Sequence, residues 1–313
     1  MSFSHLIAAY DLLDDPAVRG ADVVAFLRAI APEADIEVQA VTTEIGTTDF
    51  LRVVVPGGQG KRAGGPAPTL GILGRLGGLG ARPEQIGFVS DGDGALSAVT
   101  IAAKLLSMVE RGDRLPGDVI VATHIDPDAP TQPHEPVPFM GSVVEQDVSN
   151  EHEVSDEMDA ILSIDTTKGN RVLNHKGIAI TPTIADGWIL RVSESLLDVL
   201  SRTTGRAPAV MPITMQDITP YGNDVYHVNS IVQPCTATAA PVVGVAIVTE
   251  SAVPGSATGA TDLHDVDQAV RFALEVAKDY GRGIVSFHAS DELARLQELY
   301  GSMGVLRTQG VVA

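Results

Sequence analysis

The chain has 313 residues, is 44% apolar and carries a net charge of −19, which fits a globular fold with a sizeable core. That charge argues against nucleic acid, whose phosphates need clustered Lys and Arg, and against anionic membrane surfaces. Cys235 is the single cysteine, so neither an internal disulfide nor a cysteine-based zinc cluster can form.

The opening MSFSHLIAAYDLLDD lacks the basic and long apolar segments of a leader, and no run of about 18 apolar residues follows. The expectation is a cytoplasmic protein without a membrane-spanning helix. Helical spacing predicts helices over 4–13 and 20–31, the second with Asp22 in its first turn. Strands are predicted over 36–41, 50–55, 69–73 and 86–89, then a small-residue helix over 95–111 and a strand over 118–123. The polar stretch 145–159 reads as a solvated connector, and 160–164 as another strand. Strands over 174–182, 188–192 and 242–248 alternate with helices over 193–203, 265–280 and 290–303, the first capped by Ser193. Such alternation implies a mainly parallel, helix-flanked sheet.

Open α/β sheets bind ligands beyond the carboxyl ends of their strands, and polar residues gather at three such ends. Asp91 and Asp93 precede the helix over 95–111. Asp93 can cap that helix, but capping does not explain both aspartates. Strand 118–123 runs into a Pro-rich loop holding His124, Asp126, Asp128, His134 and Glu135. Strand 160–164 ends in Asp165, Lys168 and Asn170. Zinc takes His and carboxylates, typically three with a water. Asp93, His124, Asp126, His134 and Asp165 are therefore candidate ligands for a divalent metal, zinc by donor type, provided the loop folds back over the strand ends. Glu135 or Asp91 would serve as base for a metal-bound water. The plainer alternative has both histidines bonded to backbone and the acids capping helices.

Lys168 and Asn170 can orient a substrate carboxylate, or Lys168 can pair with Asp165 and fix the turn. The polar segment 216–229, with Asp217, Tyr221, Asn223 and His227, reads as a substrate-binding wall or a loop reaching a neighbouring subunit. Glu250, ending a buried strand, is a substrate contact or a cap. His175 reads as a structural imidazole, and Cys235 as a buried small hydrophobe.

The strings VSDGDGALSA, THIDPDAPTQPHEPVPFMG, SIDTTKGNR, QDITPYGNDVYHVNS and ATGATDLHD strongly resemble a bacterial family of unknown function, DUF1177, over nearly the whole chain. A more distant likeness, in the order of elements, is to the co-catalytic metal aminopeptidases, particularly the oligomeric glutamyl-type and tetrahedral ones. That likeness implies a three-layer, mostly parallel (mixed) sheet of the phosphorylase/hydrolase type in a single domain over 1–313. The 78–90 interval has no room for those enzymes' inserted lid. Asp93 matches their bridging metal carboxylate and Asp165 a later ligand, while His124 and Asp126 stand near their Glu-Glu pair. Gly74-Arg75-Leu76-Gly77 replaces their first His-Xaa-Asp, and VAIVTESAVPGSATGATDLHD lacks their closing His motif, with His264 out of register. The resemblance implies a homo-oligomeric, metal-dependent hydrolase of a small peptide or amide. The rivals are a non-catalytic binder of a small metabolite, and a lyase or isomerase using the same acids for proton transfer.

Overall fold

Leu70–Gly74, five buried residues with small Gly at two positions, form the strand around which the sheet is laid. The computed structural model describes residues 2–75, 77–81, 85, 87–133, 139–168, 172–214, 228–256 and 260–307. Helices α1 (Phe3–Leu13) and α2 (Gly20–Ile30) lead into strands β1 (Asp35–Thr42), β2 (Thr47–Val55) and β3 (Leu70–Gly74). Helix α3 (Asp93–Glu110), β4 (Val119–Ile125), the short pair β5 (Thr131–Gln132) and β6 (Phe139–Met140), and α4 (Gln146–Glu153) follow. Then come β7 (Ala160–Thr167), β8 (Gly177–Ile180), β9 (Ile184–Ala185), β10 (Trp188–Ile189) and α5 (Glu194–Thr204). A 3-10 helix, Ser230–Thr236, precedes β11 (Val242–Val248), α6 (Leu263–Gly281) and α7 (Ser290–Tyr300).

Among the described residues one nine-stranded mixed sheet runs β1-β2-β4-β3-β7-β11-β9-β10, with β8 also paired to β11. Its centre, β4-β3-β7-β11, is parallel. The β1–β2 and β2–β4 pairs are antiparallel, as are those of β8 and β9 with β11. The central strands are buried apolar runs, as expected of parallel strands covered on both faces.

The pleat divides those runs between two cores. Val53, Ile72, Val121, Leu162 and Val245 face α1, α2, α3, α5 and α6. Val54, Leu73, Ile120, Ile161 and Ala246 face a layer built from the 3-10 helix and loops, with Ile231 and Val232 at its centre. Helix α4 packs near Phe50 of β2 on this second face, where Val143 and Val144 meet it. Helical cover is thus deep on one face and sparse on the other.

Helix α3 anchors the deep face. Leu96, Val99, Ile101 and Leu105 are essentially inaccessible, each worth about 1.5–3 kcal/mol relative to exposure. The stretch Ser90–Glu110 is long and apolar enough to cross a membrane, yet 83% of its most apolar window is buried by the rest of the chain; it is the core helix of this fold. Small residues bring its first turn against the sheet: a side chain at Gly74 would strike the Gly94 carbonyl and Ala98. That contact seats the N-terminus of α3 over the carboxyl ends of β3 and β7.

Two expectations change. Of the segment predicted as a strand over 86–89, the described residues 87–89 pair through an isolated bridge of Phe88 with Gly80 and belong to no named strand. The solvated connector predicted over 145–159 contains α4, whose Gln146, Ser149, Asn150 and Glu153 are buried. Its inward stripe is polar, so apolar periodicity had nothing to register.

Candidate functional site

Two clusters of buried polar side chains lie at the carboxyl edge of the parallel strands. The first is built on the start of α3. Asp93 is the first residue of that helix, and Gly92, not Asp93, holds the cap position. The Asp93 carboxylate instead turns to Lys168, whose Nζ pairs with Oδ2 and donates to the Ala260 carbonyl at 2.8 Å. Both side chains are at most 1% exposed. Asp93 Oδ1 is buried, with no hydrogen-bond partner of normal geometry among the described residues.

Asp91, two residues earlier, is buried beside this pair. The segment after β11 closes over it: the Ser90 hydroxyl and the Asp91 N–H both donate to the Gly255 carbonyl at 2.8 Å. The Val253 N–H donates to the Lys168 carbonyl. Burial pushes the Asp91 carboxyl up to about 8, with the Asp93 charge adding and Lys168 opposing. Burial also raises Asp93, but only to about 6, because the Lys168 charge and hydrogen bond favour its ionised form. One lysine therefore sets the proton affinities of two neighbouring carboxyls apart.

The second cluster faces the other way. Gly74 is in register with Thr123 of β4 and Ile164 of β7, so one step further His124, Arg75 and Asp165 come abreast, on the face opposite α3. The Arg75 guanidinium forks onto α4, with Nη1 to Glu153 Oε2 and Nη2 to Gln146 Oε1, both at 2.5 Å. His124 Nδ1 meets Glu153 Oε1 at 2.6 Å, and Nε2 accepts from the Gly77 N–H at 2.9 Å. Burial would raise the Glu153 carboxyl, but Arg75 and His124 outweigh it and hold it below the usual range. Asp126 lies at the end of β4, where burial raises it to about 6 against the opposing effects of His124 and the Val143 N–H.

The structure brings together Asp91, Asp93 and Lys168. It does not bring Asp93 together with His124 and Asp165, which project from the opposite face. Glu250, expected as a substrate contact, is exposed just beyond β11. His134, Glu135, Asn170, Asp217, Tyr221, Asn223 and His227 lie outside the described residues. Lys168 pairs with Asp93 and not, as weighed from the sequence, with Asp165. Sequence reasoning also missed Arg75, Gln146 and Glu153. Their signal is faint, because a lone Arg among glycines and an all-polar helix stripe resemble surface.

The described donors around Asp93 do not suit a divalent metal. Among the described residues no three His, Cys, Asp or Glu side chains converge on one point. Both His124 nitrogens are already bonded within the protein, and an ammonium occupies the approach to Asp93 Oδ2. Cys235 is buried and its thiol is pushed up to about 12 by that burial, which leaves it unreactive.

A mixed α/β sheet flanked by helices, with Asp91, Asp93 and Lys168 buried at its parallel strand ends, defines an α/β protein. The chain belongs to the family described as protein of unknown function (DUF1177), whose model matches residues 39–310. No curated protein matches the chain.

Proposed function

We propose that this chain is an acid–base hydrolase of a small amide or peptide, worked by Asp91, Asp93 and Lys168. The observation carrying this reading is the buried Asp93–Lys168 pair beside a second buried aspartate at the strand ends. A buried ion pair is a poor source of stability compared with apolar packing, so its placement here calls for another role. Asp93, ionised at neutral pH, takes the proton of an attacking water. Asp91, largely protonated below pH 8, returns one to the leaving amine. Of the three Lys168 N–H donors, two go to Asp93 and Ala260; in this reading the third polarises the carbonyl oxygen. The distant likeness to aminopeptidases supports the substrate class, and a homo-oligomer with cytoplasmic location belongs to the same proposal.

The test is amine release from dipeptides and N-acyl amino acids by the parent, Asp91→Asn and Asp93→Asn. Turnover by the parent that falls at least about 100-fold in each variant is expected for acid–base groups. Equal turnover in all three contradicts the assignment. Binding without cleavage by the parent points instead to a small-metabolite binding protein.

A further inference from the structure

The resemblance to metallo-aminopeptidases assigns a metal cation to the neighbourhood of Asp93, yet the side chains found there do not fit one. We propose that Lys168 is the resident cation of this site, its ammonium standing where a divalent ion would otherwise balance the buried carboxylates. The inference rests on the same three residues as the proposed hydrolase but not on their turnover.

Three observations carry it. Asp93 is fully buried and its carboxylate meets Lys168 Nζ, which comes from the far end of β7. The other oxygen supplied to Nζ is the Ala260 carbonyl, from the segment that closes the site. A carboxylate and a carbonyl around one positive centre are the hard oxygen donors that a small cation takes from proteins, and here an ammonium uses them. The remaining carboxyl, Asp91, lies beside Asp93 without any other basic side chain among its charged influences. The site therefore holds its own counter-charge, and His124, expected from the sequence as a metal ligand, lies on the opposite face, committed to Glu153 and Gly77.

Pleat geometry explains how the lysine gets there. Ile164 faces α3, so residues 166 and 168 continue on that side while Asp165 faces away. Lys168 is thus delivered to the N-terminal end of α3, within reach of Asp93, and Asp165 is not.

The experiment is thermal unfolding of Lys168→Ala with and without n-propylammonium, an amine that matches the deleted side chain beyond Cβ. Parent and variant are also melted with and without a strong chelator. The variant should melt at least about 5 °C lower, since removing one partner strands a buried charge, and saturating propylammonium should restore most of that loss. The parent should be indifferent to the chelator. A parent that loses stability on chelation overturns the proposal, as does a Lys168→Ala deficit that propylammonium leaves untouched. Should Lys168→Ala fail to fold, the double variant Lys168→Met with Asp93→Asn, which removes both charges, is expected to fold; its failure would assign Lys168 to packing and overturn the proposal. Rescue of the melt with no amide cleavage by the parent would sink the hydrolase reading and leave the resident cation standing.

Discussion

Asp91 and Asp93 differ by two positions and by the company their carboxyls keep. Lys168 contacts Asp93 directly, whereas it reaches Asp91 only as a more distant charge. That difference has a pH signature. A carboxyl that binds its proton more tightly when folded contributes stability fully below its ordinary value of 3.8 and loses it as pH rises to about 8. Asp91→Asn should therefore match the parent near pH 4 and gain on it by about 1 kcal/mol per pH unit from there towards pH 8. Urea unfolding across that range measures it. Parallel pH profiles would show that the Asp91 carboxyl is not held protonated by the fold. The pairing of Lys168 was legible in principle: on an extended strand, positions 165 and 168 face opposite ways, which disfavours the local pair and leaves a partner from another element. The identity of that partner was not legible, because Asp93 lies 75 residues away.

At the scale of elements, α4 shows what hydrophobic patterning cannot see. The helix has eight residues, too short to persist alone in water, and it presents Gln146 and Glu153 inward to one guanidinium. Arg75 stands on the continuation of β3, so this fork ties α4 to the sheet's central strand, while the Gly77 N–H, donating to His124 Nε2, fixes the backbone that follows. Arg75→Ala would leave the Glu153 carboxylate buried without its cation, at a cost of about 3–5 kcal/mol. Arg75→Lys should recover only part of that, since a point charge cannot serve two partners in the fork geometry. Denaturant melts of both variants test this; a loss below about 1 kcal/mol for Arg75→Ala would show that α4 is held by something else. Elements with apolar faces read more easily. The buried run Val242–Val248 is β11 as the sequence predicts, and Ser193 caps α5 by accepting from the Leu196 N–H. Short strands set by pairing more than by composition fared worse: β8 and β10 were read too long, and β9 was missed.

For the whole molecule, the sheet explains why the site lies where it does. Four parallel strands end together, α3 is seated on those ends by small residues, and the segment after β11 folds back to cover them. The alternation of strands and helices disclosed the α/β class. It could not disclose that β1 and β2 would join antiparallel beyond β4, or that helices would crowd one face, because both depend on pairings between distant segments. The sequence also offered its acids and imidazoles as one group, whereas the pleat sends them to two sides of the sheet. Labelling every aspartate carboxyl carbon with 13C and titrating the intact protein by NMR addresses the central claim directly, with Asp91→Asn and Asp93→Asn identifying the two signals. The expected result is a carboxyl at Asp91 that titrates near 8 and one at Asp93 near 6; both titrating near the ordinary 3.8 would contradict a buried acid and base at this site.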